Sequence, residues 1–134
     1  MPQFSLTKSE KLCSRTAINE LFASGASAMA YPVRMVCRES RRNYGATVQF
    51  MLTVPKKNMR HAVDRVLLRR RMREAYRLNR SCIDARIAES GKRVDVAFIY
   101  SSKEKCSYER IERKMQKLLA SIATLIGMTD EETA

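Results

Sequence analysis

Apolar residues recur along the chain at helical spacing first, then at strand spacing, and return to helical spacing toward the C-terminus. Thr7 and Glu10 stand at capping-box spacing, and Leu12, Ile18, Leu21 and Phe22 follow as an apolar stripe. Gly25 then occupies the position where a left-handed residue ends a helix. Beyond it Val33, Met35 and Cys37 alternate with Arg34, Val36 and Arg38. After a turn at Asn43, Tyr44 and Gly45, a strand is predicted over Thr47 to Val54, with Val48, Phe50, Leu52 and Val54 opposite Thr47, Gln49, Met51 and Thr53. In a third strand, Val94 to Tyr100, the side chains of Val94, Val96, Phe98 and Tyr100 oppose Asp95, Ala97 and Ile99. Such alternation marks a sheet with one packed and one open face. Ala26 to Ala30 adds a short edge strand.

A long helix is predicted from about His61 to Leu78, with a shorter helical piece over Ser81 to Glu89. The last helix starts at Ser107, a good cap, and carries Ile111, Met115, Leu118, Leu119, Ile122 and Ile126 at helical spacing. Gly127 closes it, and the acidic tail, residues 128–134, is expected to fray. The pattern predicts a small α/β fold, an α+β sandwich of a four-stranded sheet and about three helices in the order αβββαβα. At 134 residues it reads as a single domain, 1–134, with no repeat and no linker.

Composition narrows the function. Hydrophobic residues are 45% and charged residues 30%, which excludes a disordered chain. The longest charge-free stretches are thirteen residues, short of the ~18 apolar residues of a membrane-spanning helix. The first residues lack a basic segment followed by an apolar one, so no secretory signal is expected, and the chain reads as cytoplasmic. Cys13, Cys37, Cys82 and Cys106 are too scattered for a zinc site, which needs close ligand pairs, and are expected to be reduced. His61 is the one possible histidine base and lies among cations, as a solvated helix-start residue would. Four isolated glycines make no phosphate loop. No enzyme site and no metal site of the chain's own is expected.

The charge is concentrated. Of a net +12, the window Lys56 to Arg80 carries +8: ten cations against Asp64 and Glu74. Arg65, Arg69, Arg73 and Arg77 are four apart, so on a helix they form one ridge, and Arg70 and Arg80 fall within the same arc. Leu67, Leu68, Met72, Ala75 and Leu78 lie opposite, and Arg71 falls among them, explained only by snorkelling or by contact with another element. Like charges four apart repel. A solvated face normally mixes signs, and arginine favours bidentate phosphate contacts, so polyanion binding is the natural reading.

The open sheet face adds Arg34, Val36, Arg38, Thr47, Gln49, Met51 and Thr53, a mildly polar, cationic surface. With the first helix at its edge, Ile18 and Phe22 would line a groove suited to an extended single strand. On periodicity alone, core packing explains Phe22 equally well.

Three stretches resemble the protein subunit of bacterial ribonuclease P, and the likeness runs from about Leu6 to Ile126. They are Leu6 to Gly25, with Phe22 and Gly25 in the family's places; Leu52, Thr53, Val54, Pro55, Lys56, Lys57; and Ala62 to Leu78, with Ala62, Val63, Asp64, Arg65, Arg69, Arg70, Arg73, Glu74, Ala75 and Tyr76. The family's helix usually carries an Arg-Asn-Arg triplet; Arg65 keeps the first place, whereas Val66 and Leu67 replace the others, so some RNA contacts must differ.

The resemblance implies a left-handed β-α-β crossover and a subunit of a ribonucleoprotein endonuclease that removes the 5′ leader of precursor tRNA. The catalytic component there is an RNA using Mg²⁺, so the partners implied are the catalytic RNA and precursor tRNA, with no obligate protein partner and no membrane. By position, Lys56, Lys57, Arg60, Arg65, Arg69, Arg70, Arg73 and Arg77 would bind RNA, and Ile18, Phe22, Val36 and Thr53 would line the leader cleft. Two other classes fit the charge: a free RNA- or DNA-binding module such as a ribosomal protein, and a basic amphipathic segment that meets a membrane surface or a groove. Arg71 breaks the apolar face the last would need.

Overall fold

The computed structural model describes residues 15–39, 48–80, 87 and 93–125. Within them the order is helix α1 (Arg15–Ser24), strands β1 (Ala26–Ala30), β2 (Val33–Glu39) and β3 (Val48–Thr53), helix α2 (Ala62–Asn79), strand β4 (Val94–Tyr100) and helix α3 (Tyr108–Leu125). The predicted αβββαβα order is the observed one. The capping box at Thr7 and Glu10, the turn at residues 43–45, most of the 81–89 piece and the acidic tail lie outside the described residues.

The four strands form one mixed sheet in the order β1-β2-β4-β3. β1 and β2 pair antiparallel, as do β2 and β4, whereas β3 runs parallel to β4 with Phe50 beside Val96. A parallel neighbour requires a crossover, and α2 is that crossover. It is the unit for which the family resemblance implies the left-handed path.

The predicted alternation sorts the sheet into two faces. Val33, Met35, Cys37, Val48, Phe50, Val94, Val96, Phe98 and Tyr100 join Leu68, Met72, Ala75 and Tyr76 of α2 and Ile111, Met115, Leu118, Leu119 and Ile122 of α3 in the main core. Tyr76 stacks on Phe50 with ring centroids 4.3 Å apart and tilts against Phe98 at 5.9 Å. These rings set the rotation of α2, and therefore which of its residues face outward. On the other face α1 covers a smaller cluster of Leu21, Val36 and Ala97, with Ala17, Ile18, Met51 and Ile99 packed at its margin.

Gly25 ends α1, but its φ lies outside the left-handed region. What requires glycine is proximity. A Cβ there would come within 2.5 Å of the Leu21 carbonyl oxygen and 2.7 Å of Val36 Cγ1. The missing side chain therefore lets the end of α1 sit directly on β2.

Candidate nucleic-acid interface

His61 is the extended N-cap of α2, exposed, with no side-chain cap hydrogen bond. Its carbonyl accepts from the Asp64 and Arg65 amides, and Asp64 lies in the first turn where the helix dipole favours an acid. The helix buries Leu68, Met72, Ala75 and Tyr76. That face orients every arginine on it.

The cations predicted to bind RNA divide by exposure and partners. Arg69, Arg70 and Arg73 are exposed, and among the described residues none of them meets a carboxylate. Lys56 and Lys57, in the turn after β3, and Arg60 are exposed beside the start of the helix. These six cations form the open part of the site.

Arg65 and Arg77 are half-buried and committed to the protein. Arg65 Nη1 donates to the Met59 and Arg60 carbonyls at 3.0 and 2.9 Å, which pins the loop that carries Arg60. Arg77 pairs with Glu74 one turn back, and that hydrogen bond holds the Glu74 carboxyl below its usual range. The single ridge of like charges read from the sequence is therefore corrected at Arg77. Arg80 is corrected too: it is buried at the C-cap and its amide donates to Tyr76 O, so it leaves the exposed arc. Asp64, the window's other acid, pairs with Lys105 at 3.3 Å.

Val66 and Leu67, which stand where the family usually has Asn and Arg, extend an apolar strip beside the arginines. Val63 is 79% and Val66 44% exposed, and with Ala62, Leu67 and Arg70 they border a shallow depression of about 420 Å³.

The second predicted surface is the cleft between α1 and the sheet. Phe22 is 47% exposed, so about half of its surface lies outside the core. Ile18 and Thr53 are half-buried, Ile18 at the margin of the cluster under α1. Val36 is 3% exposed beneath α1 and beside Gly25, so it supports the cleft from below and cannot contact a ligand. Arg38, expected on the open cationic face, is tied to Glu20 of α1 at 3.2 Å. Arg34 on the same strand is exposed. α1 thus closes much of the sheet face and leaves Gln49, Met51, Thr53 and Ile99 half-exposed.

Among the described residues, no three His, Cys, Asp or Glu side chains gather to hold a metal, and no helix is long and apolar enough to cross a membrane. What the described surface offers is exposed cations on and before α2 and an exposed ring on α1.

Comparison with known proteins points the same way. Residues 6–123 match the family model described as Ribonuclease P. A ribonuclease P protein component of Porphyromonas gingivalis is 38% identical over 122 residues, 91% of this chain and 89% of the relative. One from Chlorobium phaeobacteroides is 31% identical, covering 88% of each. Among solved structures, the Staphylococcus aureus RNase P protein superposes with a TM-score of 0.67 at 16% identity, covering 87% of this chain and 97% of that one. The Thermotoga maritima protein gives 0.66 at 24% identity, covering 84% and 97%. At those identities the two structures speak for the fold.

Proposed function

The chain belongs to the family of ribonuclease P protein components, the protein subunits of a tRNA-processing endonuclease, and from that membership we propose how its surfaces divide the work. Arg69, Arg70 and Arg73, with Lys56, Lys57 and Arg60, bind the phosphodiester backbone of the catalytic RNA. Arg65 positions Arg60 and the start of α2, and Arg77 contributes at the end of the ridge while paired to Glu74. Val66 and Leu67 supply apolar contact where the family usually has polar contact.

The cleft beside α1 holds the single-stranded 5′ leader of precursor tRNA. Phe22 offers a ring for a base to stack on, Ile18 and Thr53 line the trough, and Val36 underlies it. The bond cleavage belongs to the RNA and the Mg²⁺ it carries; this chain binds and orients. In this reading the holoenzyme acts in the cytoplasm.

The observation that carries this reading is the set of three exposed arginines on α2 without acidic partners, on the opposite sheet face from an exposed Phe22. It is tested by competition binding to the assembled holoenzyme. Precursor tRNA should outcompete mature tRNA, and Phe22→Ala should reduce that preference. Equal affinity for both would favour a free RNA-binding module.

A further inference from the structure

The ridge on α2 is not the molecule's only run of like charges. On α3, Arg110, Lys114, Lys117 and Ser121 are spaced four, three and four apart, which places them within an arc of about 60° along one side of the helix. The core residues Ile111, Met115, Leu118 and Ile122 occupy a different side, and so do Glu109 and Glu112. Among the described residues, no carboxylate lies in ion-pair contact with Lys114 or Lys117.

This stripe borders β1. Lys114, Lys117 and Ser121 face Ala28, Met29 and Ala30 across an open groove of about 440 Å³. β1 is the terminal strand of the sheet, so its outer edge presents backbone amides with no strand partner among the described residues. At the head of the groove, Tyr31 is 51% exposed and the Arg110 guanidinium lies 5.9 Å from its ring centroid. Ammonium groups, free amides and an exposed ring are the groups that hold a polynucleotide backbone and one of its bases. From Arg110 to Lys117 the helix rises about 10 Å, the axial length of about three nucleotides of one duplex strand.

We propose that the groove between β1 and α3 is a second docking surface for the catalytic RNA, separate from the α2 ridge. This rests on the reading of the chain as a ribonuclease P subunit. The choice of RNA follows from placement. α2 and α3 pack side by side on one face of the sheet, with β1 and β3 at its two opposite edges, whereas the trough assigned to the leader lies on the other face. A large folded RNA lying across the two helices reaches both cation sets, while a leader strand in the trough does not.

The test is the salt dependence of binding between the full chain and its catalytic RNA, without precursor tRNA. Replacing both lysines, Lys114→Ala with Lys117→Ala, should lower the slope of log affinity against log salt by about 1.4–1.8, two phosphate equivalents, with the melting temperature unchanged. The paired variant Arg69→Ala with Arg73→Ala serves as the reference. If that pair lowers the slope and the lysine pair does not, the second surface is overturned and the family role stands. If neither pair lowers it, the RNA-subunit reading falls as well. A lysine effect that appears only when precursor tRNA is added, or only in cosedimentation with phosphatidylserine vesicles, also overturns the assignment.

Discussion

Arg71 of α2 reaches across to the residue before the α3 cap and donates from Nη1 to the carbonyl oxygen of Cys106, at 2.5 Å. Asn79 strengthens the same junction, donating to Glu112 at 3.0 Å and accepting from Gln116 at 2.9 Å. Two residues away on either side, Arg69 and Arg73 point into solvent. One helix therefore carries arginines of opposite purpose. Arg71→Ala should cost on the order of 1–3 kcal/mol in urea unfolding, because it removes a charged donor from a half-buried carbonyl. Its RNA salt slope should match the wild type, and a lowered slope at full stability would contradict the assignment.

Arg69→Ala and Arg73→Ala should behave in the converse way. Each should lower the salt slope of RNA binding by about 0.7–0.9, one phosphate equivalent, with no change in melting temperature. A slope that stays at the wild-type value would mean that neither guanidinium reaches a phosphate.

Phe22 separates binding from packing in the same manner. Phe22→Ala should weaken leader affinity by about 1–3 kcal/mol if the ring stacks a base. Because the ring is exposed, its melting temperature should hardly move. Lost stability with intact leader affinity would mean that the ring packs against its own chain rather than stacking a base.

Gly25→Ala should destabilise the fold by roughly 1–3 kcal/mol, measured as a shift in urea midpoint, since the new methyl group meets a backbone oxygen and Val36. Either β2 or α1 must move, so the trough beside α1 should lose leader affinity as well. Wild-type stability in this variant would show that α1 has room to lift.

Burial raises the Cys37 thiol from its ordinary 9.0 to about 11. The folded state therefore favours the protonated thiol. Its stabilising share is complete below pH 9 and is lost as pH rises toward 11. Unfolding free energy should fall across that window more steeply in the wild type than in Cys37→Ala. Parallel curves would place the thiol in contact with water.

The sheet was legible in the sequence because its alternation reports two differently covered faces: Val94, Val96 and Phe98 under two helices, Ala97 and Ile99 at the smaller cluster under α1. The boundaries of α2 and α3 followed from His61 and Ser107, whose hydroxyl accepts the Arg110 amide at 3.3 Å. The roles of single arginines were not legible. A helical projection treats Arg65, Arg77 and Arg80 as one ridge with Arg69 and Arg73, but Arg65 is taken up by carbonyls of the neighbouring loop and Arg80 is buried, neither of which a projection encodes. Only the Arg77 pairing with Glu74, three residues back on the same helix, lay in the sequence itself. Gly25 shows the same limit. Its position at a helix end was readable, yet the reason for glycine there is the approach of β2, which no local pattern encodes.

The protein binds and the RNA cuts, and the decisive measurement of that division is cleavage of precursor tRNA by the cognate catalytic RNA, followed as Mg²⁺ is varied with and without this chain. The chain alone should leave precursor tRNA intact, and adding it to the RNA should allow cleavage at lower Mg²⁺. Identical Mg²⁺ dependence in its presence and absence would contradict the account.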